Sequence, residues 1–201
     1  MYLVHESLPV TPGRHRAAEK RLADGHILMA QLPGFKEAQV CKYLGNSTEY
    51  LAIRRWESHE AFEGWGKSPQ REQYAAARPS GLYTDQPVFL HLAEVLETRG
   101  DAGGTFLGCN YFSVDPDRWD EFIDLRRKHD GAYTSGGGVV YLRLHRDTQD
   151  PARAVFLFRC AGREAQERIT ESEALDAWRK TVPEGLMKIT SRRYFEIVHE
   201  Q

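Results

Sequence analysis

Glu60-Ala61-Phe62-Glu63-Gly64-Trp65 returns later in the chain as Glu173-Ala174-Leu175-Asp176-Ala177-Trp178. Each copy reads acid, Ala, large apolar, acid, small, Trp. Ala61, Phe62 and Trp65 fall on one stripe of a helix, and so do Ala174, Leu175 and Trp178. Taken singly, each stretch is an amphipathic helix that buries a Trp. Two further pairs keep the same order. Val10-Thr11-Pro12-Gly13-Arg14 is echoed by Val114-Asp115-Pro116-Asp117-Arg118, and Ala93-Glu94-Val95-Leu96-Glu97 by Phe195-Glu196-Ile197-Val198-His199. The spacing implies a duplicated unit of roughly 100 residues, with extra residues around 162–170 in the second copy.

A chain of 201 residues allows one domain or two. A unit of that size holds only a modest core, so the two copies are expected to pack together. The net charge of -2, with acids and bases interspersed, speaks against a nucleic-acid groove or a polybasic membrane patch. No apolar run reaches the roughly 20 residues of a membrane span. The first residues, Met1-Tyr2-Leu3-Val4-His5-Glu6, do not read as a signal peptide. Cys41, Cys109 and Cys160 form no C-x-x-C pair, which fits a reducing cytoplasm better than a disulfide scaffold.

In chain order, 2–10 reads as a strand. Thr11 and Pro12 then read as the N-cap and first turn of a helix running to about Gln31. Strands follow at 35–44 and 49–56, joined by the turn Gly45-Asn46-Ser47. Ser58 caps the Trp65 helix, Ser68-Pro69 restarts a second helical piece over 70–77, and 87–96 is the fourth strand. Residues 99–104 (Arg-Gly-Asp-Ala-Gly-Gly) form a linker, whose Arg-Gly-Asp is read as chance rather than adhesion. The second copy repeats the order: strand 105–114, helix 116–129, a glycine-rich loop 133–138, a hairpin of 139–145 and 154–160, a helical region 163–181 and a strand 189–199. Each unit is therefore β-α-β-β-α-β, the ferredoxin-like order. The expected fold is α+β: a first unit at 1–98 and a second at 105–201, packed sheet-to-sheet as a pseudo-symmetric barrel.

With this order in hand, Trp56-Glu57-Ser58-His59-Glu60-Ala61-Phe62-Glu63-Gly64-Trp65-Gly66-Lys67-Ser68 resembles the Trp-x-Ser-x-Glu-x-Phe-x-x-Trp-x-x-Ser segment of the antibiotic biosynthesis monooxygenase superfamily. Leu32-Pro33-Gly34-Phe35 resembles that family's glycine-aromatic lead-in to the second strand. The likeness covers 1–98 well and 105–201 more loosely, through Asn110, the Trp178 segment and the final strand. It implies the dimeric α+β barrel fold in tandem form, with two such chains able to pair further as a homodimer.

The resemblance implies two chemistries. Heme-degrading members use an Asn on the first strand, the Trp of the Trp helix and a His about ten positions further on. Here the first copy keeps Trp65 but has Glu6 and Ala75 at the other two positions. The second has Asn110 and Trp178 but Lys188 near the His position. Heme iron needs an axial ligand, and His26, His129 or His145 would have to supply it from elsewhere. Other members resemble oxygenases without a cofactor, in which a flat phenolic substrate supplies the electrons and the protein stabilises the enolate. For that reading Asn110, Trp178 and Glu6 are the candidate catalytic residues, with a His as an alternative base. Trp65, Tyr111, Tyr133 and Tyr141 are the candidate walls and hydroxyls for a small aromatic or quinol ligand. Heme stays open as the alternative cofactor, and a non-enzymatic ligand binder or a filled scaffold as alternative roles.

The bland readings stand beside these. A Trp on an apolar stripe is more often core than ligand wall, strand tyrosines need no function, and Asn110 could merely satisfy backbone. No His pair has zinc-site spacing, although His5, His91 and His199 could meet across a sheet. Gly136-Gly137-Gly138 lacks the context of a phosphate loop. The run Arg126-Arg127-Lys128-His129 reads as a solvated helix end whose cations suit the macrodipole.

Overall fold

A computed structural model describes residues 1–201. The chain divides into two compact units, Met1–Ala93 with Phe195–Gln201, and Glu94–Tyr194. The elements in order are β1 (Tyr2–Pro9), α1 (His15–Met29), β2 (Phe35–Tyr43), β3 (Glu49–Trp56), α2 (His59–Gly66), α3 (Pro69–Ala76) and β4 (Val88–Arg99). Then come β5 (Phe106–Val114), a 3-10 turn (Pro116–Arg118), α4 (Trp119–Ser135), β6 (Val139–Asp147), β7 (Arg153–Cys160), α5 (Arg163–Thr170), α6 (Glu173–Arg179) and β8 (Met187–Glu200). Within the first unit the strands run antiparallel in the order β4-β1-β3-β2, and within the second β5 pairs antiparallel with β7 and β7 with β6. This is the tandem ferredoxin-like α+β fold.

The compact units do not follow the repeat boundary at 98. The two long strands, β4 and β8, each begin in one unit and end in the other. Thus Phe195, Glu196 and Ile197 of β8 pair with Tyr43, Lys42 and Cys41 of β2 in the first unit.

In the first unit, β1 is central and pairs with β3 and β4. Leu8, Val10, Ala18, Leu22, Val40, Tyr50 and Ala52 form one buried cluster, and Tyr2, Val4, Met29, Trp56 and Trp65 another. The helix α1 starts later than Thr11-Pro12 promised. Gly13 takes φ 80, a left-handed value that a helix cannot contain, and the helical run opens only after Arg14. Ser58 caps α2 by accepting from Ala61 N at 3.2 Å. Ser68 caps α3 by accepting from Arg71 N at 3.1 Å and also donates to Trp65 O at 2.8 Å, so one hydroxyl ends α2 and starts α3.

In the second unit, β5 pairs with β7 along its length and β7 with β6. The 18-residue cluster of buried side chains there includes Phe112, Phe122, Leu142, Leu144, Phe156, Phe158 and Leu175. Two expectations shift. The helix expected to stop at 129 runs to Ser135, and the glycines that end it are Gly137 (φ 67) and Gly138 (φ 77). The helical region after 163 is two helices, because Ser172 turns out of the first and caps the second through Leu175 N at 3.3 Å.

Candidate functional site

The extra turns of α4 build the site. Phe122, Arg126, His129 and Tyr133 lie at i, i+4, i+7 and i+11, one stripe of a helix, and all four are buried. Between that stripe, β5, β7, α5, α6 and the start of β8 is a cavity of about 190 Å³, wholly within the second unit. Its floor holds Arg126, His129, Tyr133 and Phe158, and its rim holds the exposed Arg179 and Arg192.

Asn110 reaches the cavity because strand alternation puts Phe106, Asn110, Phe112 and Val114 on the helix side of β5. Asn110 Oδ1 is sealed from solvent and accepts no hydrogen bond; the Tyr133 hydroxyl is in the same position. Burial raises the Tyr133 phenol well above its ordinary range, so it is a neutral hydroxyl. Trp178 is a half-buried wall. Its indole N–H donates to Leu125 O at 3.0 Å, and its ring meets His129 edge-on at 4.5 Å. His129 Nδ1 lies 3.1 Å from Asp130 Oδ1, which leaves Nε2 as the ring nitrogen for a ligand. Burial, and then the Arg126 cation, push His129 down to about 3, so the imidazole is neutral at ordinary pH.

The structure thus gathers Asn110, Tyr133 and Trp178 from the residues singled out in the sequence. It disperses the rest. Tyr111 and Tyr141 occupy the other face of their strands: Tyr111 is hydrogen-bonded with Cys109, and Tyr141 lies under the Arg143 guanidinium at 4.0 Å. Glu6 is in the first unit, held at 2.5 Å by Arg54, with both side chains buried. Trp65 is packed in the first unit's core against Tyr74, with ring centres 6.0 Å apart. Arg126 and His129 overturn the solvated-terminus reading. They are 2% and 5% exposed, whereas their neighbours Arg127 and Lys128 face solvent. The signal was present in the spacing of Phe122, Arg126, His129 and Tyr133, but it becomes legible only once the helix is known to continue past 129. No three His, Cys, Asp or Glu side chains cluster as a metal set. No helix is long and apolar enough to cross a membrane.

Residues 1–77 match the family model described as Antibiotic biosynthesis monooxygenase. A mycobilin-producing heme oxygenase of Mycobacterium tuberculosis is 29% identical over 99 residues, 49% of this chain and 90% of that protein. Among solved structures, a candidate monooxygenase of Fusobacterium nucleatum superposes with TM-score 0.80 at 10% identity, over 100% of this chain and 93% of that one. An anthrone oxidase-like protein superposes with TM-score 0.69 at 16% identity, over 100% of this chain and 92% of that one. These two likenesses are likenesses of fold.

Proposed function

We propose that this tandem protein of the antibiotic biosynthesis monooxygenase superfamily oxygenates a small, flat phenol or quinol in the cavity of its second unit, without a cofactor. The observation that carries the reading is the pair of unpartnered polar atoms, Asn110 Oδ1 and the Tyr133 hydroxyl, inside an aromatic wall. Buried polar atoms nearly always have partners, so two in one cavity call for a ligand that supplies them. A phenolic O–H is a donor for Asn110 Oδ1, and its ring stacks or meets edge-on with Trp178, Phe158 and Tyr194. A cavity of about 190 Å³ suits one or two rings; about 150 Å³ already holds benzene.

The chemistry asks for removal of one proton and stabilisation of the anion. His129 Nε2, held neutral, can accept a hydrogen bond from the substrate hydroxyl, with Asp130 holding its other nitrogen, while the proton itself passes to solvent as the anion forms. The anion then transfers electrons to dioxygen. For 1,4-naphthohydroquinone a ring C–H becomes C–OH and the two hydroxyls become quinone carbonyls: one oxygen atom enters the hydroxyquinone, the other leaves as water with two hydrogens, and the substrate supplies all four electrons.

The relative named as a heme oxygenase raises the porphyrin alternative. His129 offers an imidazole, but about 190 Å³ is below the roughly 300–1,000 Å³ of pockets for drug-sized ligands, so this cavity does not fit a porphyrin. The test is oxygen consumption with 1,4-naphthohydroquinone beside a hemin titration followed by absorbance. Protein-dependent oxygen uptake that drops at least tenfold in a folded Asn110→Ala variant supports the oxygenase. A saturable Soret band without quinol turnover replaces it with a heme protein.

A further inference from the structure

We infer that the groove between α1 and α3 of the first unit binds an aliphatic carboxylate, with Arg21 as the cation that takes its head group. This site is separate from the cavity of the second unit and does not depend on the oxygenase reading. The groove has a volume of about 510 Å³, within the roughly 300–1,000 Å³ of ligand pockets. Every lining residue comes from α1, from α3 or from the residues just after α3, and none from a strand. The cavity of the second unit is instead walled partly by β5, β7 and β8, so the two are not copies of one site. On the sheet side of the first unit Glu6, the counterpart of Asn110, is already paired with Arg54.

The walls of the groove are Ala17, Ile27, Leu28, Ala77 and Pro79, all aliphatic. They leave Ile27 50% exposed, a large apolar side chain facing water. Covering such a trough with an alkyl chain removes apolar surface from water on both sides, which is favourable. A flat aromatic ligand would find only one ring here, that of Tyr74, and Arg21 already lies over it.

The charged side chains in the lining are Lys20, Arg21 and Asp24. Lys20 and Asp24 satisfy each other, with Nζ donating to the two carboxylate oxygens at 2.9 and 2.7 Å. Arg21 has no such partner. It is only 9% exposed, yet it makes neither an ion pair nor a hydrogen bond. Its guanidinium carbon stands 3.9 Å from the centre of the Tyr74 ring. Gly25 makes room for that ring, since a Cβ there would stand 2.6 Å from Tyr74 Cε2. An aromatic face attracts a cation but leaves most of its five N–H donors unserved. Those nitrogens are not sealed off: Arg54 Nε and Arg55 Nε are buried without a partner, whereas no nitrogen of Arg21 is. The donors of Arg21 therefore open onto the groove. The carboxylates nearby are taken, Glu6 by Arg54 and Asp24 by Lys20. A carboxylate matches a guanidinium with two parallel hydrogen bonds, and one unpaired cation calls for one negative charge. An aliphatic trough that ends at a single unpaired guanidinium thus fits a monocarboxylate with an alkyl chain.

The probes are sodium octanoate below its micellar concentration and 1-octanol, equal chains with and without the charge, titrated into the whole chain by calorimetry. Octanoate is expected to bind one to one and at least tenfold more tightly than octanol. Arg21→Gln is expected to weaken octanoate at least tenfold and to leave octanol within twofold. Ile27→Asp places a charge at a half-exposed position and is expected to weaken both probes, so it carries the test should Arg21→Gln fail to fold. No saturable octanoate binding overturns the inference, as does equal affinity for the two probes. Octanoate binding undiminished in a folded Arg21→Gln or in Ile27→Asp also overturns it, because the ligand then sits elsewhere. Absent octanoate binding together with an Ile27→Asp change that turns a parent dimer into a monomer would replace the carboxylate with a second copy of the chain.

Discussion

Replacing Glu6 with Gln tests whether this carboxylate is structural. Glu6 and Arg54 are 8% and 5% exposed and their charged atoms are 2.5 Å apart, while Arg54 Nε has no partner. Removing one member of a buried ion pair costs about 3–5 kcal/mol, because the other charge stays behind unpaired. Gln keeps the shape and one acceptor, so the lower end, about 3 kcal/mol, is expected. At a urea dependence of about 1–3 kcal/mol per molar, that lowers the unfolding midpoint by roughly 1–3 M. The double replacement Glu6→Leu with Arg54→Met is expected to recover most of the loss, since apolar pairs of similar volume replace buried ion pairs at little cost. Oxygen uptake per folded molecule is expected to stay within twofold in both variants. A Glu6→Gln protein of unaltered stability that has lost tenfold or more of its turnover would show that Glu6 works in the chemistry, and the structural account of it would be wrong.

Two further expectations follow from packing and titration. A Cβ on Gly108 would stand 1.8 Å from the Phe158 ring, its partner across the β5–β7 ladder and a wall of the cavity. Gly108→Ala is therefore expected to cost about 1–3 kcal/mol in thermal or urea unfolding, and to weaken quinol binding by pushing Phe158 into the cavity. Acid stability is set partly by two buried histidines. Burial, then Arg54 and His199, push His26 down to about 2, and His129 sits at about 3. The unfolded chain takes up these protons below about pH 6.5 while the folded one does not, so stability is whole above pH 6.5 and falls as pH drops toward 3. His26→Leu is expected to flatten that slope in urea titrations at pH 4, 5 and 7; an unchanged slope would remove His26 as its source.

How much was legible differs between fold and site. The strands at 35–44 and 49–56, the caps at Ser58 and Ser68 and the repeated Trp helices follow from local rules, namely alternation, helical spacing and hydroxyl caps. The chain's own periodicity carries them. The start of α1 was misread because Pro12 is a good first-turn residue, whereas the left-handed Gly13 beside it forbids the turn.

What the sequence determined by itself is the duplicated β-α-β-β-α-β order and the short set of polar and aromatic residues worth watching. Only the tertiary structure decided which of them meet. Tyr111 and Asn110 are adjacent in the chain, yet strand pleating sends them to opposite faces. Trp65 and Trp178 hold matching places in the repeat, yet one is packed core and the other a cavity wall. Arg126 and His129 became floor residues through the length and phase of α4. Likewise β4 and β8 each serve both compact units, which no repeat could reveal, because a strand's partners are chosen by long-range pairing and not by its own residues.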